Sequence, residues 1–186
     1  MQGALKEPGS GEGTAIEVRV ESISQLFDTL DPFPFPQRDL DKEAEEYIVG
    51  WARELPRAQK LTIRIHLPHE ETHSKDAIAL PIAFDRYFTY RAEMLGRDLN
   101  ELFRIGRRAL LVGVTALTVC LMLSQFLIGM FGENTLVQIV AESLIIVGWV
   151  ANWKPIEIFL YDWWPISRRC SLYRRLAVAK VELQPY

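Results

Sequence analysis

The sequence contains little cysteine and histidine, and this scarcity excludes several classes of protein. Its 186 residues include two cysteines and three histidines. Cys120 and Cys170 are isolated, so they imply no disulfide framework and lack the spacing of a zinc site. The sequence also has no glycine-rich phosphate loop and no nucleophile elbow. It therefore predicts a protein without a cofactor and without a catalytic site of these familiar kinds.

The chain also lacks a strong excess of either charge. Its formal net charge is −3, and no basic stripe with interleaved aromatic residues is present. We therefore expect no nucleic-acid partner. Residues 1–14 are rich in glycine and have no apolar core of a cleaved signal peptide, so they predict a flexible N-terminal tail.

Two long apolar blocks dominate what the sequence does contain. Residues 109–131 carry no charge, and residues 135–153 carry a single one, on Glu142. Each block has close to the roughly 20 residues that a helix needs to cross about 30 Å of hydrocarbon. The segment between the blocks is short. The sequence therefore predicts a hairpin of two transmembrane helices whose partner is the lipid bilayer.

Basic residues set the expected orientation of this hairpin. All 21 lysine and arginine residues lie outside the two apolar blocks and their connection. Because basic residues near the ends of spans favour the cytoplasmic side, we expect both ends of the chain in the cytoplasm. An impermeant reagent should then label a cysteine at Glu133 from the periplasmic side, but not a cysteine at Ser10.

The remaining sequence predicts a small cytoplasmic α+β domain. Residues 15–21 and 60–67 alternate apolar and polar side chains, which is typical of half-buried strands. The same alternation returns at residues 176–184. We therefore expect a domain over residues 15–75, joined by a third strand from the cytoplasmic tail, residues 166–186. The order of the strands is left open.

Two segments carry a resemblance to other proteins. Residues 39–56 read DLDKEAEEYIVGWARELP, and residues 158–177 read IFLYDWWPISRRCSLYRRLA. Both resemble uncharacterised small bacterial membrane proteins with two transmembrane helices, and the resemblance covers most of the chain. It implies a bacterial inner-membrane setting, but no activity, ligand or catalytic residue.

A stripe with heptad spacing runs along the predicted first span and the segment before it. We expect a long helix over residues 76–108 that continues into the span, residues 109–131. The side chains of the stripe are large in its first half, which suits burial of apolar area in water. They are small in its second half, which suits close packing of helices in lipid. Two interpretations stay open: the stripe packs within one chain, or it joins copies of the chain. Its members include Phe88, Leu95, Leu99, Leu102, Gly106 and Gly113.

An amphipathic helix is predicted directly after the second span, over residues 155–165. Pro155 suits the first position of a helix. Aromatic and arginine side chains around this helix would lie at the level of the lipid headgroups, where they fix depth and tilt. A specific site for anionic lipid is the alternative interpretation. This interface belt comprises Trp149, Trp153, Tyr161, Trp163, Trp164, Arg168 and Arg169.

The segment HEETH, from His69 to His73, matches the H-E-x-x-H pattern of zinc proteases. In that chemistry two histidines one helical turn apart bind zinc, and the glutamate activates water. Glu93 has the spacing of a third ligand. However, Pro68 precedes the segment, and the polar Glu71 stands where a zinc-binding helix has a core residue. The sequence favours a polar connector, and a metalloprotease is the third hypothesis.

Glu142 is the most unusual residue of the apolar blocks. An ionised carboxylate alone in hydrocarbon costs on the order of 3 kcal/mol or much more. We therefore expect Glu142 to be protonated, hydrogen-bonded between helices, or facing an aqueous cavity. At 1.5 Å per residue, Ser124 and Gln125 should lie at its depth, and Gln138 shares its face of the helix.

These features favour a membrane protein without catalytic activity. The first hypothesis is an oligomerising scaffold or accessory subunit that presents a cytoplasmic domain, as a homo-oligomer or within a membrane complex. In that case Glu142 is hydrogen-bonded between helices, with Ser124 or Gln125 as its expected partner. The alternative is a small oligomeric channel or transport-accessory subunit that uses Glu142, because one hairpin is too small to enclose a pore.

Overall fold

Most of the described residues are helical. The chain divides into two compact units. The sheet unit contains residues up to 94 and residues 169–186, and the helical unit contains residues 95–168. The computed structural model of the protein describes residues 15–35, 37–57, 59–132 and 134–186. The predicted N-terminal tail and Glu133 lie outside the described residues.

Three short strands form one parallel sheet in the sheet unit. They are β1 (Ala15–Arg19), β2 (Thr62–Leu67) and β3 (Lys180–Pro185), in that spatial order. In the central strand β2, Ile63 and Ile65 are fully buried between polar neighbours, as the two-residue period of a strand requires. The sheet of three strands predicted from alternation is confirmed, and its order is now fixed.

The direction of the strands is a feature that alternation did not reveal. Parallel neighbours need a crossover connection, and α1 (Lys42–Glu54) provides it between β1 and β2. The Asp41 carboxylate caps this helix by accepting hydrogen bonds from the Glu43 and Ala44 amides. The cap and the crossover place one face of α1 over the sheet unit's core.

One helix of 57 residues, α2 (Lys75–Phe131), contributes to both units. In the sheet unit its side chains Leu80, Phe84 and Phe88 are buried. Its later turns contain the first apolar block, residues 109–131. A single helix therefore covers both the segment predicted as a cytoplasmic helix, residues 76–108, and the predicted first span, residues 109–131.

The second apolar block forms α3 (Thr135–Ala151), which follows a turn at Gly132. Gly132 has a φ of 69°, which glycine adopts without the steric cost of a side chain. Helix α4 (Trp153–Glu157), a π-helical turn (Ile158–Asp162) and α5 (Trp163–Ala177) come next. The segment predicted as one amphipathic helix, residues 155–165, is divided among these three elements.

The last strand begins later than the alternation predicted. Residues 176 and 177 belong to α5, and β3 starts at Lys180. Leu172, Tyr173 and Leu176 are buried along one side of α5. This helical spacing outweighs the short alternation in the sequence around Leu176.

Candidate functional site

Small residues bring the two apolar segments of the helical unit into close contact. A Cβ atom on Gly113 would lie 2.7 Å from Asn152 Oδ1 and 2.9 Å from the Ala151 carbonyl oxygen. A Cβ atom on Gly106 would lie 2.9 Å from Ile158 Cγ2. These glycines of the predicted stripe therefore pack against the chain's own second helical segment, as the first of the two interpretations expects.

A buried asparagine forms one hydrogen bond across this contact and one within its own helical segment. The Asn152 side-chain amide donates to the Gly113 carbonyl at 3.0 Å and to the Gly148 carbonyl at 2.9 Å. Gly148 is itself a close contact, because a Cβ atom there would lie 3.0 Å from Leu117 Cα. The glycines of the predicted stripe indicated this contact in the sequence, whereas the role of Asn152 in it was not predicted.

The bulky half of the stripe falls into two environments. Phe88 is fully buried in the sheet unit, where its ring lies 6.1 Å from the Tyr173 ring. Leu95, Leu99 and Leu102 are half-buried residues of the helical unit. For these three leucines, a role between copies of the chain stays a prediction.

The polar residues of the apolar helices do not form the predicted pair. Glu142, Gln138 and Gln125 are exposed, whereas Ser124 is only 1% exposed. Within the described residues, the Glu142 carboxyl has no hydrogen bond or ion pair, and Ser124 Oγ has no hydrogen-bond partner. The structure therefore does not bond Glu142 to Ser124 or Gln125.

The direction in which α3 is turned explains this exposure. Ala141 and Gly148 are buried, and they lie on one face of the helix. Glu142 follows Ala141 directly, so it lies about 100° around the helix from that buried face. The spacings of four, seven and four residues place Gln138, Glu142, Trp149 and Trp153 on a common exposed face, which we call the Glu142 face.

Most members of the predicted interface belt are exposed, but Trp163 is half-buried. Trp163 Nε1 donates to the Phe159 carbonyl at 2.9 Å, and its ring centroid lies 6.4 Å from that of Phe103. The Arg168 guanidinium stacks on the Trp164 ring at 4.1 Å from the centroid. The exposed members of the belt are Trp149, Trp153, Tyr161, Trp164, Arg168 and Arg169.

The sheet unit also contains a buried carboxylate that no sequence pattern predicted. Glu45 of α1 is 8% exposed, and four side chains from three helices meet at its position. It accepts hydrogen bonds from the Tyr87 hydroxyl at 2.8 Å and from the Tyr173 hydroxyl at 2.5 Å. Arg91 donates to the same carboxylate through Nε at 3.2 Å and through its terminal nitrogen at 3.1 Å. We call these four residues the Glu45 cluster.

Electrostatics in the Glu45 cluster keeps the carboxylate charged. Burial alone would raise the pKa of Glu45, but hydrogen bonds from Tyr173 and Tyr87 and the charge of Arg91 hold it below its ordinary value. Burial and hydrogen bonding to Glu45 raise the pKa of both tyrosines. Both tyrosine hydroxyls and the Arg91 guanidinium therefore donate to a charged acceptor at neutral pH, and the cluster fastens α1, α2 and α5 together.

An open groove of about 460 Å³ lies beside the Glu45 cluster in the sheet unit. Arg86 and Tyr87 of α2 line one wall of the groove, and the loop that contains Asp31 and Asp39 lines the other. The Asp31 carboxylate accepts hydrogen bonds from the Phe33 amide at 3.0 Å and the Asp39 amide at 2.8 Å, and these bonds lower its pKa. Asp31 therefore serves to hold the loop in shape.

The HEETH segment does not form the helix that zinc-protease chemistry needs. His69 and Glu70 lie in a turn, and Glu71–His73 form a short 3-10 helix before α2. The ring centroids of His69 and His73 are 6.0 Å apart. Among the described residues, no group of three histidine, cysteine, aspartate or glutamate side chains could hold a metal ion. The segment is a polar connector between β2 and α2.

The fold therefore combines a helical hairpin with a small unit built on a parallel sheet. Two of its helices are long and apolar enough to cross a membrane. No protein-family model, curated protein or solved structure matches the chain.

Proposed function

We propose that the protein is a non-catalytic, membrane-anchored scaffold or accessory subunit that presents its sheet unit to a partner. The exposure of the apolar helices is the observation that carries this proposal. In the most apolar stretch of 18 residues in α2, only 11% is buried. In the corresponding stretch of the helical segment that starts at Thr135, 17% is buried. Soluble proteins rarely expose contiguous apolar surface of this extent, whereas lipid covers it without cost.

We further propose the bacterial inner membrane as the location, with both ends of the chain in the cytoplasm. The absence of lysine and arginine from residues 109–153 supports this orientation. The sheet independently supports a shared side for both ends, because β1 and β3 both pair with β2. The resemblance to small bacterial two-span proteins supports the choice of membrane.

Membrane extraction and cysteine labelling test this proposal together. We expect the full chain to stay in the membrane fraction through alkaline extraction, which releases peripheral proteins. An impermeant maleimide should label Glu133→Cys from the periplasmic side and should leave Ser10→Cys unlabelled in intact cells, in a background with Cys120 and Cys170 replaced. Release at alkaline pH would overturn the anchor, and reversed labelling would overturn the orientation.

A small channel is the second candidate, and the exposed Glu142 favours it. Several copies of the hairpin could line an ion path with this carboxyl group and with Gln138. Ion flux into proteoliposomes distinguishes the two candidates, because the scaffold predicts no flux that depends on Glu142. A flux that Glu142→Gln abolishes would favour the channel, and wild-type flux equal to that of empty vesicles would exclude it.

A further inference from the structure

We infer that the protein self-associates through the Glu142 face, and that a second copy of the same chain covers this face. The inference rests on the proposed insertion of the apolar helices into the membrane. It assigns to Glu142 and Gln138 the role of a polar contact between copies. The leucines and glycines of the predicted stripe are not needed for this contact.

Lipid cannot satisfy the polar groups that the Glu142 face exposes. Glu142 and Gln138 lie within a helix whose other exposed side chains are largely apolar, such as Ile139 and Ile146. Neither polar side chain has a hydrogen bond or ion pair within the described residues. Carboxyl and amide groups in hydrocarbon are costly unless another polar group binds them, so a partner from outside the chain is required.

A second copy supplies the complementary groups at the correct depth. Copies inserted with the same orientation place each residue at the same level in the bilayer. Gln138 lies one helical turn, about 6 Å along the axis, from Glu142. In a symmetric parallel pair, the Gln138 amide of each copy can therefore donate to the Glu142 carboxyl of the other, which gives two equivalent hydrogen bonds.

The rest of the Glu142 face suits helix packing along the same line. Trp149 and Trp153 continue the face by two further steps of the helix, and they are 63% and 69% exposed. Gly113 and Gly148, two small residues of the kind that mediates close helix packing, are already occupied, because they contact the chain's own partner segment. The polar side chains of the Glu142 face are therefore still available to another copy.

Dilution of labelled protein in vesicles of phosphatidylethanolamine and phosphatidylglycerol measures the association. We expect wild-type protein to self-associate, and we expect Glu142→Leu, which removes both hydrogen bonds of the pair, to weaken the association about tenfold, or about 1.4 kcal/mol in total. Glu142→Gln keeps an acceptor oxygen and a similar shape, so it should associate like wild type. Gln125→Leu, which removes an exposed amide from the other apolar helix, is the matched control and should change nothing.

Disulfide crosslinking tests which face of α3 forms the contact. Trp149 and Val147 are similarly exposed, at 63% and 60%, but lie about 200° apart around the helix. In a background with Cys120 and Cys170 replaced, Trp149→Cys should crosslink two copies under mild oxidation. Val147→Cys should give no crosslink. Crosslinking at Val147 in place of Trp149 would overturn the assigned face.

Alkaline extraction of every variant separates failure of this inference from failure of the proposed membrane anchor. A wild-type chain that stays in the membrane as a single copy would overturn the inference and leave the anchor intact. Association that is unchanged by Glu142→Leu would also overturn it. A chain that is released from the membrane would instead contradict the anchor itself.

Discussion

Two glutamates, one in each unit, have opposite surroundings. Glu45 of the sheet unit is buried, and it accepts hydrogen bonds from Tyr87, Tyr173 and Arg91. Glu142 of the helical unit is exposed on an apolar helix and has no such partner among the described residues. The first carboxylate is satisfied by its own chain, and the second depends on its surroundings.

This difference reflects the solvent expected around each unit. In water, burying a charge is favourable only when donors compensate for its lost hydration, and the Glu45 cluster provides them. In lipid, an exposed polar group gains nothing from the solvent, so it favours association with another polar group. We therefore expect Glu45 to determine stability, and the proposed self-association assigns to Glu142 a role in assembly.

Removal of the buried carboxylate should have the largest effect. Glu45→Ala leaves two tyrosine hydroxyls and Arg91 without their acceptor, and we expect it to lower the free energy of unfolding of the sheet unit by about 3 kcal/mol. Pulse proteolysis in urea measures this loss on the full chain. Glu46→Ala, one residue further along α1 and exposed, should change stability by less than about 0.5 kcal/mol. Equal effects of both changes would contradict the role of the Glu45 cluster.

Enlarging a glycine at the helix contact should have the next largest effect. Gly113→Leu would force a side chain against Asn152 and the Ala151 carbonyl, and we expect a destabilisation of about 2 kcal/mol. The midpoint of thermal unfolding in detergent reports this change. Gly129 has no neighbouring atom within 4 Å of an added Cβ, so Gly129→Leu is the matched control and should be tolerated. A similar loss in both variants would show that helix contact is not the cause.

Loss of the asparagine hydrogen bonds should have a smaller effect. Asn152→Leu removes the two hydrogen bonds to the Gly113 and Gly148 carbonyls but keeps a side chain of similar size. Interhelical hydrogen bonds in membranes contribute little, so we expect a loss of about 1 kcal/mol in the same thermal measurement. Gln125→Leu removes an exposed amide and should leave the midpoint unchanged. An unchanged midpoint for Asn152→Leu would show that packing alone holds the two segments together.

Acid should produce the smallest effect, since protonation leaves the Glu45 side chain in place. Because folding lowers the pKa of Glu45 below its ordinary value of 4.5, the resulting stabilisation is complete above about pH 4.5. It is lost as the pH falls through the folded-state pKa. The stability difference between wild type and Glu45→Gln in urea should therefore shrink on acidification. A difference that does not change with pH would contradict a charged Glu45 in the folded state.

Periodic features of the structure could be predicted from the sequence, whereas the contacts of single side chains could not. Alternation located the strands, and apolar length located the helices that could cross a membrane. The depth of Glu142 stays a prediction from the rise per residue, and the rotation of α3 that turns this side chain outward could not be predicted from the sequence. Glu45 stands beside Glu43 and Glu46, and nothing local indicates which of these glutamates is buried. Its tyrosine partners are 42 and 128 residues further along the chain.

The position of β3 has a consequence for biosynthesis. A ribosome completes β1, β2 and both apolar helices before it reaches Lys180, so the edge of β2 that pairs with β3 stays open until then. An open strand edge is a site for unwanted pairing with other chains. Closing it joins residues more than a hundred positions apart, which makes sheet completion a late step in folding. If only one of the two apolar helices crossed the membrane, β3 would lie on the opposite side from β2 and this edge would stay open, so in the proposed topology the sheet can close only after both helices have inserted.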